Sequence, residues 1–253
     1  MNRQKVNAPS RSFALQGPCD PHRVITEQYI ARQYHRVYEA NIQAFLPLLL
    51  TMSAPRSEAE AAPEASDHQL LAAAGLRPAS APRLFLESYL ELPVEQAIAQ
   101  AARIPVSRNS VIEIGNLVST QRGGSLQLFL VMAAALQQAG FSWLVFTATP
   151  QVEKLVKRLH AQPMFLAPAD ACKVAGSAGE WGRYYQHCPR VMVVDLNHSM
   201  TLARQNLMID KVFSEHQLAI RALGQHIGQF CQQGGQTTGA ATATAASQRS
   251  RNA

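Results

Sequence analysis

The chain has 253 residues, 47% hydrophobic and 16% charged, a composition typical of a globular protein with a sizeable core. A net charge of +6 favours anionic partners such as phosphates, a nucleotide cofactor or an acidic membrane surface. The basic residues are scattered and form no dense basic helix, which excludes nucleic acid as an expected partner.

The four cysteines and eight histidines lack the spacing of a metal site, so no metal is predicted. The N-terminus carries no apolar signal segment, and the apolar run 45–52 is too short to span a bilayer. We expect a cytoplasmic protein that reaches a membrane only from its surface.

The first half of the chain has weak element signals. Residues 1–22 are polar and predicted to be disordered. A helix is predicted from the Thr26 cap onward, and Pro47 leads into a short apolar strand. A mobile loop is predicted at about 53–69. "PRLFLESYLEL" predicts a strand, and "PVEQAIAQAAR" predicts a helix with Pro93 in its first turn.

From residue 109 the pattern becomes strand, helix, strand. "SVIEIGNLVS", the apolar helix "LQLFLVMAAALQQAG" and "FSWLVFTAT" form a β-α-β unit, whose right-handed crossover makes its strands parallel. The helix "PQVEKLVKRLH", two strands and a long helix over about 199–231 follow. Residues 23–231 therefore form one predicted α/β (α+β) domain, and the tail 232–253 is predicted to be disordered.

Glu113 stands inside the apolar strand, where a carboxylate is costly unless it is paired or neutral. Burial would raise its pKa and make it a candidate general base. An ion pair with Arg108 or another basic side chain, or a solvent-facing position beside a bulge, would also explain it. Gly115 and Asn116 suit a bulge at the end of this strand.

Adjacent Gly123 and Gly124 precede the apolar helix, whose first N–H groups lack intrahelical acceptors. Such a helix start is a candidate anion site, to which Arg122 adds positive charge. A tight turn that binds nothing is the alternative.

The loop "QRGGSL" resembles the acyl-CoA-binding loop of GNAT N-acyltransferases, Gln/Arg-x-x-Gly-x-Gly/Ala. Gln121 and Gly124 match its first and fourth positions, whereas Leu126 replaces the small sixth residue. The resemblance implies a GNAT-like mixed central sheet with a β-α-β acyl-cofactor-binding unit. The donor would be acyl-CoA or acyl-phosphopantetheine on an acyl carrier protein.

The resemblance also implies donor contacts from two segments. The backbone of Leu117 and Val118 would pair with the pantetheine arm. A pyrophosphate would lie on the first turn of the helix, in a cradle formed by Gly123, Gly124, Ser125 and Leu126.

Longer blocks resemble the thermostable hemolysin family of Gram-negative bacteria: "LFLESYLELPVEQ", "VIEIGNLVS", "WLVFTAT", "LAPAD" and "WGRYYQHCPRVM". The family's fold pattern resembles GNAT proteins and autoinducer synthases, which transfer a fatty acyl group from a carrier to an amine. The resemblance implies a similar acyl transfer here.

Acyl transfer to an amine also needs an acid that protonates the leaving thiolate. GNAT enzymes often place a Tyr on the helix after the second strand, but "PQVEKLVKRLH" contains none. Tyr185, or its neighbour Tyr184, is the candidate acid; otherwise both belong to a packing cluster. Glu87 and Glu91 could bind the substrate amine or form a solvated face.

The favoured hypothesis is an N-acyltransferase acting on a small amine such as an amino acid. One alternative is a cytolytic protein with peripheral membrane contact through a moderately amphipathic helix near 201–222. The other is a non-catalytic module that binds an acyl carrier protein.

Overall fold

A seven-stranded sheet forms the centre of the protein, as a computed structural model describes it over residues 11–56, 68–80, 83–121, 123–159, 161–174 and 178–232. The strands are β1 (Ser12–Gln16), β2 (Leu48–Pro55), β3 (His68–Pro78), β4 (Val111–Ser119), β5 (Trp143–Ala148), β6 (Met164–Pro168) and β7 (Arg190–Asp195). Their order is β1-β2-β3-β4-β5-β7-β6. Only β4 and β5 pair in parallel, as the β-α-β pattern predicts.

Helices cover both faces of the sheet. They are α1 (Arg23–Tyr38), α2 (Val94–Ala102), α3 (Gly124–Gln138), α4 (Pro150–Arg158), α5 (Leu196–Arg204), α6 (Leu207–Glu215) and α7 (217–232). Ile112 and Ile114 of β4 pack in the same cluster as α3, whereas Val111 packs in the cluster that contains α2 residues. Because side chains alternate along a strand, α2 lies on the face opposite α3. Leu49 and Ala73 place α1 on the α2 face too.

The apolar helix α3 is enclosed by the sheet on one side and by α5 and α6 on another. Ten of its residues are buried. This arrangement explains why α3 lacks the polar face of a surface helix.

A bulge in β4 separates it from β5. Pairing with β5 ends at Ile114, although β4 continues to Ser119. Asn116 adopts a left-handed conformation with φ of 50°, and the β3–β4 register shifts beside it. Its Oδ1 accepts a hydrogen bond from the Leu46 N–H at 3.0 Å. The bulge predicted at Gly115 and Asn116 is confirmed, and it opens a gap between the parallel strands.

Several local predictions were wrong. Part of the segment predicted to be disordered, residues 12–16, is the edge strand β1. "PRLFLESYLEL" is no strand, because Phe85–Ser88 forms a 3₁₀ turn. Strand β3 was not predicted at all. The predicted loop 53–69 falls mostly, and the tail 232–253 almost wholly, outside the described residues.

The C-terminal helix is also divided. The long helix predicted over 199–231 consists of α5, α6 and α7. Asn206 ends the first segment, because its Oδ1 accepts from the N–H groups of Met208 and Ile209 and caps α6. Helix α1 begins at Arg23, so Thr26 lies inside it and is not its cap.

Candidate functional site

A cavity of about 120 Å³ lies where β4 and β5 separate. Part of its wall, including Ile114, Phe129 and Phe146, belongs to the core on the α3 face. Tyr34 and Tyr89 contribute walls from the clusters on the opposite face. The cavity therefore connects both faces of the sheet through the gap that the bulge creates.

Glu113 lines this cavity and is 4% exposed. Its carboxylate accepts hydrogen bonds from the backbone N–H groups of Phe85 at 3.1 Å and Leu86 at 2.9 Å. Burial raises the pKa of Glu113, while those N–H groups and the nearby positive charge of Arg77 partly oppose the rise. The result is a carboxyl group with raised proton affinity in the wall of a cavity.

Two of the structural explanations considered for Glu113 were wrong. Its side chain is buried and does not face solvent. Arg108 does not pair with it, because Arg108 contacts the carboxylates of Glu87 at 2.6 Å and Glu95 at 2.7 Å. The carboxylate does hold the 3₁₀ turn through the two N–H groups, so it also has a structural role.

Glu87 and Glu91 do not line the cavity. Glu87 is buried and accepts from the N–H groups of Leu84 and Val94 as well as from Arg108. Glu91 is exposed and pairs with Lys173. The structure thus gives both carboxylates protein partners and places neither in the cavity wall.

The glycine loop has the local geometry of a helix start. Gly123 is the N-cap of α3 with φ of 79°, which favours glycine. A Cβ on Gly124 would lie 2.6 Å from Ser119 Oγ, so close packing against β4 requires glycine there. Ser125 and Leu126 complete the first turn, whose N–H groups are the predicted anion donors.

The other residues predicted to contact the acyl donor do not lie together. Leu117 lines the cavity, whereas Val118 packs with α1 in the core on the opposite face. Arg122 lies outside the described residues. Leu117 is therefore the member of this set that the structure brings to the gap.

The candidate acid Tyr185 does not line the main cavity. Its hydroxyl lies 2.7 Å from that of Tyr89, which does line it. Tyr185 itself borders a separate surface hollow beside Arg190. Tyr184 is buried in an aromatic cluster with Tyr34 and Trp181, and burial raises its pKa well above the usual range.

Two residues that line the cavity were not predicted from the sequence. Arg77 on β3 and Thr149 at the start of α4 both line it. Thr149 Oγ1 is buried near the Tyr38 hydroxyl. It forms no hydrogen bond of normal geometry with any of the described residues. Arg77 could have been found only if β3 had been predicted, because its position depends on the pairing of β3 with β4.

Within the described part of the chain, no group of three or more His, Cys, Asp and Glu side chains could hold a metal ion. Over the same residues, no helix combines the length and the apolar composition that crossing a bilayer requires.

Solved structures with similar folds are acyl-transfer enzymes. FeeM, an N-acyl amino acid synthase from uncultured soil microbes, has a TM-score of 0.52 and 11% identity, covering 79% of this chain and 99% of that chain. BjaI, a CoA-dependent acyl-homoserine lactone synthase with SAM and isopentyl-CoA, has a TM-score of 0.49 and 11% identity, covering 80% and 90%. At 11% identity the likeness to FeeM shows the fold alone, and it confirms the predicted mixed central sheet flanked by helices.

The family is shown by sequence. None of the curated proteins matches the chain significantly. A family profile described as thermostable hemolysin matches residues 16–200, which is more than half of the chain. The chain therefore belongs to the thermostable hemolysin family.

Proposed function

We propose that this protein is an N-acyltransferase that moves a fatty acyl group from a thioester donor to a small amine, such as an amino acid. The observation that carries the proposal is the buried carboxyl of Glu113 in a cavity that connects both faces of the sheet. A buried carboxyl with raised pKa in such a cavity is a candidate general base.

The donor is acyl-CoA or acyl-phosphopantetheine on an acyl carrier protein. Its pyrophosphate or phosphate would lie on the first turn of α3, behind Gly123 and Gly124. Lys154, Lys157 and Arg158 are exposed on α4 and form a positive surface, on a different side of this helix from Val152, which lines the cavity. This charge suits the phosphates of CoA and the acidic surface of a carrier alike.

The reaction forms one amide bond and breaks one thioester bond. Glu113 removes a proton from the bound amine, directly or through water, and the amine nitrogen attacks the thioester carbonyl carbon. The tetrahedral intermediate collapses with cleavage of the carbon–sulfur bond, and the thiolate takes a proton to leave as the free thiol. An acceptor that binds as an ammonium ion releases one further proton to solvent.

Tyr89 and Tyr185 together supply that proton. Tyr89 lines the cavity, and its hydroxyl is hydrogen-bonded to the hydroxyl of Tyr185. Tyr185 borders the surface hollow and can restore the proton from that side. Both tyrosines carry their protons at neutral pH, while the rise in pKa that burial chiefly causes makes each a weaker acid than an exposed tyrosine.

The test uses the purified full chain with hexadecanoyl-CoA or hexadecanoyl carrier protein and a mixture of the amino acids that omits cysteine. Free thiol is followed with a thiol reagent, and N-acyl products are identified by mass. We expect thiol release to require amine and to equal product formed. Glu113→Gln should lower kcat/KM by roughly 10²–10⁴, whereas the exposed α6 variant Glu215→Gln should not change it.

Two outcomes would contradict the proposal. Thiol release that is independent of amine would indicate a thioesterase. Donor binding without any turnover would favour the non-catalytic carrier-binding module.

A cytoplasmic location follows from the proposed donors, because acyl-CoA and acyl carrier protein are both found in the cytoplasm.

Peripheral membrane contact is a second proposal, supported by three exposed apolar side chains. Leu207, Met208 and Leu218, on α6 and α7, are 85%, 76% and 83% exposed. Their position overlaps the segment 201–222 predicted to be amphipathic. Leu207→Glu combined with Met208→Glu should abolish co-sedimentation with vesicles that contain anionic lipid, and unchanged co-sedimentation would overturn this proposal.

A further inference from the structure

We propose that Arg77 binds the carboxylate of the acceptor, and that the acceptor is therefore an α-amino acid with an uncharged, apolar side chain. This inference rests on the proposed N-acyltransferase activity and names the substrate class of its acceptor site.

Arg77 and Glu113 are neighbours across the β3–β4 pair. They stand in register in this antiparallel pair, so their side chains leave the same face of the sheet. That face is the one covered by α1 and α2, because Val111 and Ala73 share its alternation with Glu113 and Arg77 respectively. Both residues line the cavity.

The guanidinium of Arg77 has no protein acceptor among the described residues. Two other partly buried arginines are occupied: Arg23 donates to the carbonyls of Leu46 and Pro47, and Arg108 donates to Glu87 and Glu95. Arg77 is half-buried, yet no hydrogen bond or ion pair within the described chain involves its side chain. It acts on Glu113 only through its electric field.

A free guanidinium in a cavity wall is suited to a planar anion, and a carboxylate is the anion that the position favours. The phosphates of the donor are expected at the N-terminus of α3, which lies on the opposite face. Arg77 instead lies beside the candidate base, on the side from which the amine would attack.

The spacing of the two residues fits an amine and a carboxylate on one carbon atom. Residues directly opposite in an antiparallel pair have Cβ atoms about 5 Å apart. An α-amino acid can therefore place its ammonium group on Glu113 and its carboxylate on Arg77. An acceptor with widely separated groups could not reach both at once.

The remaining walls decide the side chain of the acceptor. Arg77 and Glu113 are the charged residues among those described around the cavity. The neighbouring wall on their face is aromatic, with Phe85, Tyr34 and Trp181. A second charge on the acceptor would be desolvated without a partner, so leucine and phenylalanine should be preferred to glutamate and lysine.

The experiment compares acceptors that differ only in the carboxylate. The full chain is given hexadecanoyl-CoA, or the hexadecanoyl carrier protein, with L-leucine or L-leucinamide, and L-phenylalanine or its amide. We expect kcat/KM for each amino acid to exceed that for its amide by roughly 10²-fold. L-Glutamate should react at least 10-fold more slowly than L-leucine.

Arg77→Gln then tests whether Arg77 binds the carboxylate of the acceptor. The readout is the ratio of kcat/KM for L-leucine to that for L-leucinamide, which should fall roughly 10²-fold toward unity. The exposed α7 variant Arg221→Gln should keep the ratio of the wild type. If Arg77 acted only on the pKa of Glu113, its loss would lower the rate with both acceptors equally and shift the pH profile. The ratio of kcat/KM for L-leucine to that for L-leucinamide would then stay unchanged, and that result would overturn the inference.

The wild-type series is decisive even if Arg77→Gln does not fold. Equal acylation of amino acids and their amides would overturn the carboxylate anchor and leave the N-acyltransferase activity standing. Absence of acylation for every amine, with both donors, would overturn the proposed function and the inference with it.

Discussion

Glu87→Gln should destabilise the fold, because Glu87 is the centre of a buried network that holds the 3₁₀ turn and the start of α2. Its two oxygens accept from the Leu84 N–H at 2.8 Å, from the Val94 N–H at 2.9 Å and from both terminal nitrogens of Arg108. Gln offers one acceptor oxygen and no charge, so some of these donors lose their partner.

The magnitude follows from the pKa of the carboxyl group. Burial alone would raise the pKa of Glu87, but hydrogen bonds from Arg108, Val94 and Leu84 outweigh burial and lower it to about 2. Compared with the ordinary value of 4.5, this is a stabilisation of roughly 3 kcal/mol. Because the Arg108 side chain is 29% exposed and solvent screens it, we expect about 2 kcal/mol.

The sign determines the pH range of the effect. A lowered pKa in the fold contributes stability that is complete above about pH 4.5 and is lost as pH falls toward 2. Urea unfolding of wild type and Glu87→Gln should therefore differ by about 2 kcal/mol at pH 7 and by much less near pH 2.5. A difference independent of pH, or absent at pH 7, would refute the reasoning. The exposed variant Glu91→Gln should leave the unfolding midpoint unchanged.

Gly123→Ala and Gly140→Ala both place alanine at positive φ and should each cost about 1–2 kcal/mol in urea unfolding, but only Gly123→Ala should raise KM for the acyl donor. Asn116→Ala should cost more than Asn116→Gly, since glycine accepts the left-handed conformation although it also loses the bond to the Leu46 N–H; equal losses would contradict this. Acyl transfer should decline as pH falls through the raised pKa of Glu113, and a flat acid limb of the pH–rate profile would exclude Glu113 as the base.

The parts of the fold that consist of consecutive elements could be predicted from the sequence, whereas most of those that depend on pairing between distant segments could not. The unit from β4 through α3 to β5 could be predicted, because its strands, glycine turn and apolar helix are consecutive and its crossover has a fixed hand. Strand β3 could not, because "HQLLAAAGLRP" has neither alternation nor β-branched residues. It is a strand only because β2 and β4 pair with it on both sides.

The candidate site divides in the same way. Glu113 and the glycine loop could be identified from the sequence, since a charge in an apolar run and adjacent glycines are visible without a structure. Arg77, Tyr89 and Thr149 could not be assigned, because they reach the cavity only through pairing and packing between distant segments. The 3₁₀ turn was mistaken for a strand because hydrogen bonds to the buried carboxylates of Glu87 and Glu113 override its apolar pattern.

Two buried carboxylates contact the same 3₁₀ turn, yet their different partners shift their pKa values in opposite directions. Glu87 receives backbone N–H groups and the full charge of Arg108, which suppress its affinity for a proton. Glu113 receives two neutral N–H groups and the field of Arg77, which do not offset its burial and the negative charge of Glu87. Environments that push the pKa values of neighbouring carboxyl groups apart indicate acid–base roles, and Glu113, with the raised value, is the carboxyl that we propose as the base.

The proposed acceptor would strengthen that base on binding. Arg77 lowers the pKa of Glu113 through its positive field while its guanidinium has no protein partner. Once the bound ammonium group has released its extra proton, a carboxylate on Arg77 neutralises this field, and the loss of the field raises the proton affinity of Glu113. The pH–rate profile of kcat, which reports the bound enzyme, should thus lie at higher pH than that of kcat/KM on its acid limb. Coincident acid limbs for L-leucine would show that Arg77 and Glu113 do not share one acceptor.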